Sequence, residues 1–185
     1  MNYSTDLEEI SFAKSLEHRL KVIKLIELLF AKYSGLKILY KSFPGNQKND
    51  PVYTHLKKYI DLQKITLIDS FPNKYFENAD MIMWDTISTG FSESLVSNKP
   101  TFVFNNIHEY NLVSKTGKEI NDLFIKSGIQ FFELSNSLEN IENIINGSFY
   151  NDDSQKAIKL FLHHNSYPVS TKTWKKIFYK KIYEK

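Results

Sequence analysis

The residues best suited to chemistry are Asp85-Thr86-Ile87-Ser88-Thr89-Gly90-Phe91-Ser92-Glu93, set between an apolar run and an apolar helical segment. Hydroxyls and a glycine at a helix start expose unpaired backbone amides where the helix dipole is positive, which suits phosphate oxygens. Glu93, one turn further in, is placed to accept hydrogen bonds from a ribose diol. The same residues have a plain structural use: Ser88 or Thr89 caps the helix and Glu93 complements its dipole. The two uses are compatible. Neither GxxxxGK[ST] nor GxGxxG occurs in this segment, so ATPase and dehydrogenase readings lose support.

Three further segments follow apolar runs. Lys41-Ser42-Phe43-Pro44-Gly45-Asn46 puts an ammonium next to a Pro-Gly turn, either at the mouth of a site or as a solvated surface lysine. Asn105-Asn106-Ile107-His108-Glu109-Tyr110 is a polar cluster whose histidine can donate at neutral pH to a base, sugar or phosphate, or simply be solvated. Phe71-Pro72-Asn73 offers a ring for stacking on a base, although a packed Phe before a helix-starting Pro explains it as well. His163-His164 lacks a nearby acidic ligand set, so no metal site is expected there.

These segments need a frame that brings them to one edge. Residues 6–33 contain no Pro or Gly and repeat apolar residues at three- and four-residue spacing, which predicts one long helix, narrow-striped at first and apolar nearly all round later. Short apolar runs then alternate with helical segments, the signature of βα units on a parallel sheet. Strands are predicted at 37–40, 65–68, 81–84, 101–104 and 130–132, and helices near 52–60, 74–78, 91–97, 112–127, 138–145, 154–163 and 171–183. The fold class is therefore α/β: a Rossmann-like, three-layer domain with a mainly parallel sheet of about five strands. The chain divides into an N-terminal helix (1–34), an α/β domain (35–150) and C-terminal helices with a basic tail (151–185). In such sheets, chemistry lies beyond the carboxyl ends of the strands, where all four segments fall.

Composition removes several classes. Of 185 residues 42% are hydrophobic and none is cysteine, so this is a folded domain without disulfides, thiolate metal sites or a cysteine nucleophile. The net charge of +3 comes from the tail, since 172–185 carries six Lys against one Glu and the remainder holds 18 basic and 20 acidic residues. A nucleic-acid partner wants a basic face across the domain and is not expected. Arg19 is the one arginine, so phosphate binding is expected to rest on Lys, hydroxyls and amides. The polar, acidic start predicts no signal peptide, and the most apolar stretch, 22–31, is half of what a membrane span needs. A soluble, cytoplasmic protein is expected, with the basic tail available to touch the inner membrane surface.

The stretch from Asp85-Thr86-Ile87-Ser88-Thr89-Gly90-Phe91-Ser92-Glu93 through Asn98-Lys99-Pro100 to Thr101-Phe102-Val103-Phe104 resembles the donor-binding half of GT-B glycosyltransferases. It is most similar to the transferases of bacterial surface-carbohydrate clusters that are related to CDP-glycerol glycerophosphotransferases. The resemblance in layout runs from about Gly35 to His164. It implies a domain that holds the nucleotide diphosphate of an activated sugar or polyol for surface polysaccharide biosynthesis, with no separate cofactor. By position it implicates the hydroxyl turn (Thr86, Ser88, Thr89, Gly90) at the diphosphate and Glu93 at the ribose or sugar. It also implicates Lys41 as a neutralising charge, with His108 and Glu109 in the loop where that group has donor contacts. GT-B enzymes carry a second, N-terminal half with the acceptor site. This chain has room for one half, so a missing domain or a second copy is an expected partner and a catalytic residue is not assigned.

The mechanism so implied is transfer of a glycosyl or phosphoglycerol-like group to an acceptor hydroxyl, with the leaving diphosphate stabilised by amides, hydroxyls and Lys41. No acidic metal clamp stands in the sequence, which points to a metal-independent reaction. The alternative is a non-catalytic module that docks a partner through the first helix and the basic tail. A receiver-like reading wants an acidic cluster after the first strand, where Lys41-Ser42 stands instead.

Overall fold

The computed structural model describes residues 5–41, 51–68, 73–97, 99–110, 115–147 and 150–165. The segments 42–46 and 71–72 and the tail helix at 171–183 lie outside the described residues. The order is α1 (Thr5–Lys32), β1 (Ile38–Tyr40), α2 (Pro51–Asp61), β2 (Ile65–Leu67), α3 (Asn73–Phe76), β3 (Ile82–Trp84), α4 (Thr89–Leu95), β4 (Thr101–Phe104), α5 (Ile107–Tyr110), α6 (Lys115–Lys126), β5 (Gln130–Phe131), α7 (Leu134–Ile145) and α8 (Asp152–Asn165). This is an α/β architecture in which every strand pair among the described residues is parallel. The five strands are divided between two sheets, β1-β2 and β3-β4-β5, where the sequence predicts one. Strands of two to four residues make few ladder bonds, so nothing in the ladders themselves forces the sheets to join.

β4 sits in the middle of its sheet and is buried along its whole length, as a parallel strand covered on both faces must be. Its side chains alternate between two cores. Phe102 and Phe104 join Val22, Leu25, Ile26 and Phe30 of α1, Val52 and Leu56 of α2, and Ile141 and Ile144 of α7. Val103 joins Phe91 and Leu95 of α4, Ile120 and Phe124 of α6, and Ala157 and Phe161 of α8. The Phe91, Phe124 and Phe161 rings meet edge-on or tilted at 5.1 to 5.7 Å between centroids. The second half of α1, apolar nearly all round, is buried at Val22, Ile23, Leu25, Ile26, Leu29 and Phe30, while Leu16 and Leu20 remain exposed.

Local chemistry sets the turns. Pro51 opens α2, where a missing N–H costs nothing. α6 ends in a Schellman motif: Gly128 takes φ +75, Gly128 N–H donates to Ile125 O and Ile129 N–H to Phe124 O. At the amino end of β4, Tyr150 Oη accepts from Thr101 N–H at 3.1 Å and donates to Lys99 O at 3.2 Å. Burial pushes the Tyr150 phenol above its ordinary value of 10.0, against the pull of the Thr101 bond.

Two measurements follow. Gln130 is 1% exposed and neither polar atom of its side chain has a hydrogen-bond partner among the described residues. Gln130→Met should therefore raise unfolding free energy by about 1 to 2 kcal/mol in urea melts; a loss would mean the amide is satisfied in solution. A raised Tyr150 pKa means the unfolded chain releases that proton first, so the phenol's stabilisation is complete below pH 10 and is lost as pH climbs through the folded value. Tyr150→Phe should be less stable than wild type at pH 7, by about 1 to 2 kcal/mol, and the gap should narrow above pH 10. A gap independent of pH would contradict the burial of the phenol.

Candidate functional site

Beyond the carboxyl end of β3 the chain runs into Asp85, which holds α1 in two ways. Its carbonyl oxygen lies 3.0 Å from His18 Nε2. A carbonyl only accepts, so Nε2 carries the proton. Its carboxylate Oδ2 lies 3.2 Å from Arg19 Nη1, with the two side chains 30% and 34% exposed. The neighbouring strand is tied to the same turn of α1: beyond β4, Asn106 Nδ2 donates to Lys14 O at 3.3 Å. The His18 ring packs on Phe104, the last residue of β4, at 5.3 Å. The stretch of α1 from Lys14 to Arg19 thus reaches the carboxyl ends of both strands.

Asn105 and Asn106 are buried there and build the exit from β4. Asn105 Oδ1 accepts from Asn106 N–H at 2.8 Å, and Asn106 Oδ1 accepts from His108 N–H at 3.0 Å, capping the one-turn helix α5 that the sequence does not predict. His108 is half-buried at this edge, and Glu109 follows it on α5.

The hydroxyl turn divides by function. Ser88 is the N-cap of α4, its side chain accepting from Phe91 N–H at a long 3.5 Å. Thr86 is half-buried in the turn before it. Along α4, Phe91, Ser94 and Leu95 face the core, while Thr89 and Glu93 are exposed on the opposite side. Gly90 has a packing reason: a Cβ there would overlap Cη2 of the Trp84 indole and lie 2.9 and 3.0 Å from Cζ3 and Cζ2. That ring is fixed from its other end by Nε1 donating to Ser94 Oγ at 2.9 Å. A ligand is not needed to explain this glycine.

Of the residues singled out from sequence, Ser88, Thr89, Gly90 and Glu93 share α4 and its cap, with Thr86 just upstream, and His108 and Glu109 stand beyond the adjacent strand β4. Lys41, half-buried, stands past β1 in the other sheet and is not joined to them by strand pairing. His18 and Arg19 were not singled out as site residues, and Asp85 opens the hydroxyl segment without a role of its own. The one signal for them was that a histidine and the sole arginine sit side by side on α1, which says nothing about a partner 67 residues away. Among the described residues no group of three or more His, Asp or Glu gathers to hold a metal ion, and no helix is long and apolar enough to cross a membrane.

Gly90→Ala should destabilise the chain by about 2 to 3 kcal/mol through overpacking against Trp84. In a Trp84→Phe background the same change should cost less than about 1 kcal/mol, because the overlapping atom is gone. Equal costs in both backgrounds would show that the ring is not the obstacle. Comparison of the chain with protein-family models, with curated proteins and with solved structures gives no match to any of them.

Proposed function

We propose that this chain is a donor-binding domain of a GT-B-like transferase, holding the diphosphate of a nucleotide-activated sugar or polyol used in surface polysaccharide synthesis. The observation that carries the reading is the gathering of polar residues from α1, the β3–α4 turn and the β4–α5 turn at the carboxyl ends of two paired parallel strands. Ligands of open α/β sheets are received at that edge. Thr89 and Glu93 are exposed on the outer side of α4, where a hydroxyl and a carboxylate one turn apart can meet a phosphate oxygen and a ribose diol.

In this reading the two sheets are halves of one Rossmann-like layer between two helical layers. Support comes from one core cluster that contains Ile65 from the first sheet, with Ile38 packed against it, together with Phe102, Phe104 and Phe131 from the second. α4 has seven residues, too short for its dipole to dominate, so side chains carry most of the recognition. The chain's own chemistry is binding and orientation of the donor; the acceptor is supplied by a second domain or a second copy. A docking module is the competing reading, and its observation is the exposure of Leu16 (39%) and Leu20 (48%), one turn apart on α1.

Isothermal titration with UDP, CDP, GDP and ADP tests the proposal. At least one should saturate, and Thr89→Val combined with Glu93→Ala should weaken it tenfold or more while leaving the urea midpoint within experimental error, since both side chains are exposed. No saturation by any of the four at millimolar concentration would contradict the donor reading. Concentration-dependent self-association abolished by Leu16→Asp would then favour docking.

A further inference from the structure

We propose that Arg19 is a phosphate-binding residue of this edge, with Asp85 its ion-pair partner in the free protein. The inference rests on the donor reading above and adds to it a ligand from α1, an element outside the resemblance. A diphosphate brings negative charge that the exposed Thr89 cannot offset and that Glu93 opposes. The compensating cation must therefore be held at the carboxyl end of β3. Arg19 is placed there by contact: Nη1 is 3.2 Å from Asp85 Oδ2, the first residue after β3, and three residues before the Ser88 cap. The neighbouring His18 bond to Asp85 O and the Lys14 carbonyl on Asn106 keep this turn of α1 from sliding along the strand ends.

The pair uses Nη1, while a guanidinium presents further N–H donors in a rigid fork, the geometry that suits phosphate. Thirty per cent exposure of the Arg19 side chain leaves that fork reachable from solvent. A lysine could occupy the place as a point charge but not reproduce two parallel bonds. The carboxylate steadies the guanidinium but also takes up part of its charge, two effects on a ligand that oppose each other when the carboxylate is removed. Removing the carboxylate and removing the guanidinium should therefore act differently on a ligand, although they act alike on the ion pair.

Titration of wild type, Arg19→Gln, Arg19→Lys and Asp85→Asn with the best nucleoside diphosphate and with inorganic pyrophosphate reads this out, alongside the urea midpoint of each variant. Arg19→Gln should weaken both ligands tenfold or more, Arg19→Lys should recover part of the loss, and Asp85→Asn should stay within about threefold of wild type. Equal losses in Arg19→Gln and Asp85→Asn, or wild-type affinity in Arg19→Gln, would reduce the pair to a structural ion pair and overturn the proposal. Wild-type binding of pyrophosphate without any nucleoside diphosphate would sink the nucleotide reading alone, leaving the Arg19 variants to decide this one. Binding of neither by wild type would sink both.

Discussion

Asp85 is where the two ends of the fold meet. Its backbone carbonyl accepts a hydrogen bond from His18 Nε2 and its carboxylate faces Arg19, so the first residue after β3 also fixes how α1 lies across the strand ends. The ion pair itself is half-exposed and contributes little to stability. Its consequence is positional. With Asn106 holding the Lys14 carbonyl, it commits the stretch of α1 from Lys14 to Arg19 to the carboxyl edge of β3 and β4, while the second half is held by burial in the core. A helix lodged there either closes the edge or becomes part of what binds at it. The half-exposed guanidinium and the exposed Thr89 and Glu93 favour the second.

That arrangement depends in turn on β4, whose four residues are buried and whose Phe102, Val103 and Phe104 alternate between two aromatic-rich cores. Removing either core would leave an uncovered parallel strand. The turns on either side inherit this rigidity: Trp84 lies against Gly90 and is bonded to Ser94, whose carbonyl accepts from Thr101 Oγ1 at 3.4 Å. The α4 segment is thus locked to β3 and β4 on its inner face, and only its outer face is free to meet a ligand.

Short apolar runs and the three- and four-residue spacing of helices made much of this readable. The run at 101–104 is observed as Thr101–Phe104 with the same ends, and each of the other four strand predictions is one residue longer at one end than the observed strand. The apolar second half of α1 announced its burial. What stayed hidden was long-range. Nothing in Asp85 tells of a histidine and an arginine 67 and 66 residues upstream, and a sole arginine looked like an argument against guanidinium chemistry. Gly90 looked like a phosphate glycine because the ring that fills its missing side chain, Trp84, is recognisable only once β3 and α4 are folded against each other. Short strands also read the same whether they join into one sheet or stay as two.

The most direct measurement is an amide and guanidinium NMR titration of the full chain with a nucleoside diphosphate. Saturating shifts should cluster at residues 85–93 and 105–108, together with the Arg19 Nε signal, and spare the α2 and β1-β2 region. Shifts centred on that spared region, or no saturating shifts at all, would contradict a ligand site at the carboxyl edge of β3 and β4.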